Sequence, residues 1–142
     1  MVTRQQFVVE ARKWLGTPFM HQGRTRGRGV DCVGLVLSVM HDLHLNRWWA
    51  DAECSVYPRF PVGRRVHEMC QERLTEKPIA QRQPGDVLTL RNPVAPCHMA
   101  IVTDKGILHA YGAQTIHKVV EHALSDKWLK RVEGCFAIPG LT

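Results

Sequence analysis

The hydrophobic period of the chain changes near Pro84, and that change limits the fold more than any other feature. Before it, apolar residues recur at helical spacing. Thr3 is a suitable N-cap for a first helix running to Leu15, with Phe7, Val8, Ala11 and Leu15 on one face. Gly16-Thr17-Pro18 stops it. Asp31 is a good N-cap for a second helix, in which Cys32, Leu35, Val36, Val39, Met40 and Leu43 form a stripe. Arg64 to Leu74 reads as a third, amphipathic helix. After Pro84 the pattern is that of strands: Val87 to Leu90, His98 to Thr103, Ile107 to Tyr111, Thr115 to Val120 and Val132 to Ile138. Asp104-Lys105-Gly106 is a tight turn between two of them. Helices followed by an antiparallel sheet predict an α+β domain.

The chain has 142 residues, which fits a single domain over 1–142. No apolar run nears the roughly 20 residues of a membrane span. The N-terminus lacks a signal-peptide apolar core, so the expectation is a protein made in the cytoplasm and delivered by other means. The net charge of +6 suits an anionic partner or simply a soluble basic surface. The charge is not organised with aromatic residues into a platform, which argues against nucleic acid. Cys32, Cys54, Cys70, Cys97 and Cys135 are odd in number and irregular in spacing, which predicts neither a disulfide framework nor a structural zinc site.

Cys32 stands at the first turn of the second helix. Unpaired N–H groups and a partial positive charge there favour thiolate over thiol and can hold an oxyanion. A helix cysteine on an apolar stripe is otherwise a small core residue. Gly34, two residues on, leaves room for a substrate. A cysteine nucleophile needs a base. His98 opens a strand, and His109 lies 11 residues later on the strand beyond the turn. Antiparallel pairing places the two close together, so that His98 takes the Cys32 proton and His109 holds the other ring nitrogen. Any one of eight histidines is by default a surface residue. His41, His44 and His67 are weaker candidates, and His117 and His122 read as solvated. His21 lies in the glycine- and arginine-rich loop before Cys32, where it can line a cleft. A metal would need Cys97, His98 and His109 to converge, but adjacent strand residues point to opposite faces.

The segment Gly16-Thr17-Pro18-Phe19-Met20-His21-Gln22, then Asp31-Cys32-Val33-Gly34-Leu35-Val36, Pro84-Gly85-Asp86-Val87, His98-Met99-Ala100-Ile101-Val102 and Ile107-Leu108-His109-Ala110, resembles the NlpC/P60 family of cell-wall peptidases. The Gly-Thr-Pro-Phe-x-His-Gln form resembles its phage tail-associated branch. The resemblance implies a papain-like α+β fold with the nucleophile helix on an antiparallel sheet. It implies Cys32, His98 and His109 as catalytic residues, with no metal or organic cofactor. The implied substrate is the peptidoglycan stem peptide, cut between γ-D-glutamyl and a diamino acid. The implied setting is a phage tail, with tail proteins as partners, acting at the bacterial wall. The family usually has Tyr where this chain has Phe19. Loss of one oxyanion donor costs on the order of a hundredfold in rate, and the oxyanion hole then rests on backbone N–H alone or recruits His21 or Gln22. Arg24, Arg26 and Arg28 can clamp substrate carboxylates, and Asp31 lies beside the nucleophile. Phe19, His21, Gln22, Asp31 and Arg24 are therefore the expected substrate-binding set. A tail or wall-binding module without turnover, and an amidase or acyltransferase on the same thiol, are the alternatives.

Overall fold

The computed structural model describes residues 1–45, 65–91, 96–112 and 116–142. Among these residues, helix α1 spans Arg4–Arg12, α2 Cys32–Asp42, α3 Arg65–Arg73 and a short α4 Asp126–Leu129. Strands β1 (Arg24–Thr25) and β2 (Gly29–Val30) pair as a small hairpin. Strands β3 (Thr75–Lys77), β4 (Val87–Arg91), β5 (Pro96–Thr103), β6 (Gly106–Tyr111), β7 (Lys118–His122) and β8 (Val132–Ala137) form one antiparallel sheet in the order β3-β8-β4-β5-β6-β7. The α+β class expected from the change of period is the class observed.

Local chemistry explains the helix starts. Thr3 caps α1 in a capping box with Gln6, whose side chain returns to the Thr3 N–H at 2.9 Å. Phe7, Val8 and Ala11 are buried as the period required, but α1 ends early, Leu15 is exposed, and Trp14 is buried in its place. Asp31 caps α2, its Oδ1 accepting from the Gly34 N–H at 2.7 Å. This helix buries more than one stripe: Val33, Gly34 and Leu37 are inside along with Leu35, Val36, Val39 and Met40. It lies between α1, the β1 hairpin and the face of the sheet at β5 and β6.

The sheet carries apolar side chains on both faces. Val87, Met99, Ile101, Leu108, Ala110, Val119 and Phe136 pack with the residues of α1, α2 and α3. Leu88, Leu90, Ala100, Val102, Ile107 and Cys135 form a second core, closed by Ile79, Leu124, Trp128 and Val132. Strand alternation produces this division.

Two expectations change. The stretch from Met20 to Val30 is not an open loop. Gly27 N–H donates to Thr17 Oγ1 at 3.0 Å, and Val30 N–H to the Pro18 carbonyl at 3.0 Å, so the hairpin is clipped to the segment before it. The fourth predicted strand lies later than expected, at Lys118–His122, and brings His122 into the sheet. Trp48, Trp49, Tyr57 and Cys54 lie outside the described residues, as does the Cys97 side chain.

Candidate functional site

Phe19 forms a parallel bridge with Val30, the residue that leads into Asp31 and α2. Its ring lies 5.4 Å from that of His117, and a Cβ added at Gly112 would meet it at 3.2 Å. Gly112 follows the last residue of β6. The start of α2 is thereby tied to the end of the sheet where β5 begins and β6 finishes. Cys32 is the first residue of α2 and half-buried, packed with Phe19 against the larger core. His98 is the third residue of β5, and His109 lies two residues from the end of β6.

His98 Nε2 lies 2.6 Å from His109 Nδ1, a short hydrogen bond between two imidazoles. The pairing Ile101↔Leu108 makes the two histidines diagonal neighbours, as expected for strands joined by a tight turn. His109 is fully buried and His98 half-buried. Tyr111 stacks on His109 at 5.2 Å, and Trp128 meets the same ring edge-on at 5.2 Å. Burial lowers the His98 pKa to about 4, with the positive charge of Arg131 acting in the same direction. Burial, then the neighbouring His98 and His109–His122 contacts, hold His109 far below the usual imidazole range. Both rings are neutral at pH 7.

His122 is a correction. Read as solvated, it is half-buried, with Nε2 2.8 Å from His109 Nε2 and Nδ1 2.9 Å from the Ala123 carbonyl oxygen. The signal was available: His109 faces Val120, so two more residues of strand carry His122 onto the same face. His67 is a core residue, 2.8 Å from Thr89 Oγ1. His117 is exposed.

The remaining expected residues gather around Asp31. Its buried carboxylate accepts from the Gln22 N–H at 2.6 Å, meets Arg24 Nη1 at 3.3 Å and lies 4.0 Å from His21 Nδ1. Asp31 and Arg24 therefore also engage their own chain, as a brace across the start of α2. Gln22 has φ 60°, a left-handed backbone that places its N–H on this carboxylate. The space at Gly34 is also taken internally: an added Cβ would strike the Gly23 carbonyl and Arg24 Nη1, so glycine admits the hairpin and not a substrate. Among the described residues, no three His, Cys, Asp or Glu side chains are arranged to hold a metal.

The NlpC/P60 family model matches residues 16–134. A search of the curated proteins finds no match. Among solved structures, the NlpC/p60 domain of the peptidoglycan hydrolase SagA is similar at 22% identity and TM-score 0.63, over 96% of this chain and 99% of that one. An NLP/P60 family protein similar to lipoprotein, from Staphylococcus aureus, is 22% identical with TM-score 0.62, over 95% of this chain and 41% of its own. An NlpC/P60 family protein from Bacillus cereus is 15% identical with TM-score 0.66, over 96% and 40%. The chain thus spans about two fifths of the latter two.

Proposed function

The chain belongs to the NlpC/P60 family, and from that premise we propose that it is a cysteine peptidase cutting peptidoglycan stem peptides at the γ-D-glutamyl–diamino acid bond. The observation that carries the reading is the His98–His109 pair, hydrogen-bonded and held neutral at the end of the sheet where α2 begins. A neutral imidazole is the form that accepts a proton. His98 takes the proton of Cys32, and the thiolate attacks the peptide carbonyl. The Cys32 N–H at the helix start helps hold the oxyanion. The C–N bond breaks as His98 returns the proton to the leaving amine. Water then attacks the thioester, giving its proton to His98 and releasing Cys32 and the acid. His109 holds His98 in place throughout. Phe19, His21, Gln22, Arg24 and Asp31, gathered just before Cys32 in the chain and around the start of α2, are the proposed substrate-binding residues.

The phage-tail setting is the proposed delivery route, resting on the form of the Gly16–Gln22 motif, with tail proteins as partners. Phe19 favours a second reading, a wall-binding module without turnover, because its ring lacks the hydroxyl usual there.

Mass spectrometry of purified muropeptides incubated with wild type and with Cys32→Ala tests the proposal. Cleavage by wild type alone is expected, with fragment masses placing the bond. Equal cleavage by both proteins contradicts the nucleophile. No cleavage by either, on several stem-peptide types, favours the binding module.

A further inference from the structure

We propose that His122 is a positioning residue, the third ring of a relay that ends on the Ala123 carbonyl and sets the tautomer of His98; this rests on the reading of His98 as the base. A carbonyl oxygen only accepts, so the N–H of His122 sits on Nδ1, 2.9 Å from Ala123 O. A neutral imidazole has one N–H, so His122 Nε2 carries a lone pair. His109 must then donate from Nε2 across the 2.8 Å contact, which leaves its Nδ1 as acceptor. His98 in turn donates from Nε2 across 2.6 Å. The lone pair of His98 is thereby fixed on Nδ1, the only ring nitrogen left to take a proton from a thiol.

Without His122, His109 has no such constraint. It can turn its proton to Nδ1 and donate to His98, which then carries its own proton on Nδ1 and cannot act as a base there. The register supports the chain of contacts: His122 is diagonal to His109 on β7, on the face that Trp128 covers at 5.1 Å from the His122 ring. Arg131 lies over the Trp128 ring at 5.0 Å, and Tyr111 stacks on His109 and lies 6.1 Å from the His98 ring, so each of the three rings has an aromatic neighbour.

The test is nitrogen-15 NMR of the histidine side chains in the substrate-free protein, at neutral pH, with kcat/KM measured on muropeptides. Wild type is expected to show protons on His122 Nδ1, His109 Nε2 and His98 Nε2. His122→Phe keeps a ring but no acceptor. It is expected to move protons onto His98 Nδ1 and to lower kcat/KM by about tenfold to a hundredfold, the range seen when the partner that orients an imidazole is lost. His122→Gln keeps an acceptor for His109 and should restore the wild-type tautomer and most of the rate, which a packing role would not do. A wild-type proton on His98 Nδ1, or a His98 tautomer unmoved in His122→Phe, overturns the proposal. The tautomer readout needs no turnover. A relay found in a protein that cleaves nothing sustains this inference and removes the peptidase reading. Cleavage with an unmoved tautomer does the reverse.

Discussion

Asp31 carries contacts that a smaller side chain cannot replace. Its carboxylate caps α2 through Gly34, receives the Gln22 N–H and meets the Arg24 guanidinium. Loss of an N-cap alone costs about 1 kcal/mol. Asp31→Ala should therefore lower Tm by about 3 °C, given the usual conversion for a chain of this size. It should also lower activity, because the 21–24 segment loses its anchor to the helix that carries Cys32. Asp31→Asn keeps an acceptor for Gly34 and should recover much of the Tm. Thermal unfolding of both variants decides this, and an unchanged Tm in Asp31→Ala contradicts the brace. The cap was legible from residue identity, and the brace to Gln22 and Arg24 was not. Asp before Cys reads as a cap and as a ligand for substrate, and the further contacts to Gln22 and Arg24 emerge only from the fold of the hairpin around it. His122 was misread for a similar reason. Lys118, Glu121 and His122 make the end of its strand look wet, whereas its partner, His109, is 13 residues away and lies beside it only through the sheet register.

At the scale of elements, β5, β6 and β7 bring three imidazoles into line, and burying them has a consequence for acid stability. A histidine whose folded pKa is depressed binds fewer protons folded than unfolded. Between its ordinary value of 6.5 and its folded value of about 4 for His98, each downward step in pH favours the unfolded chain. The stability present above pH 6.5 should therefore decline as pH falls toward 4, and His109 adds to the decline in the same direction. Urea unfolding across that window should show a steep fall in wild type and a shallower one in His98→Gln. Equal slopes would contradict the burial of the base. The elements themselves were mostly readable. The N-caps Thr3 and Asp31 and the switch from helical to alternating period at Pro84 located the three main helices and the core strands. What escaped was short: β1 and β2 bury only Gly29 and Val30, and β3 is polar, so none has a periodic signature of its own. They exist because Thr17, Pro18 and β8 offer them partners.

For the whole molecule, the sheet has a core on each face, and one end of it receives the start of α2. Arg12 of α1 pairs with Glu121 at 2.9 Å and with Asp104 at 2.5 Å, fastening the helical layer to the β5–β6 turn and to β7. This clamp sits one residue before His122, so the same strand that holds the relay is held by α1. The fold agreed with expectation because period and caps are local properties, whereas the relay depended on register, which is global. The central claim is that Cys32 and His98 work as a pair. The most direct measurement is the rate of iodoacetamide labelling of each cysteine at neutral pH, mapped by peptide mass spectrometry, in wild type and His98→Ala. The account predicts that Cys32 reacts well ahead of Cys70 and Cys135, both buried, the latter with its thiol pushed up to about 11. It predicts that Cys32 slows by about a hundredfold when His98 is removed, the low end of what a general base contributes. A Cys32 that reacts no faster than a simple thiol peptide, and at the same rate with or without His98, would contradict it.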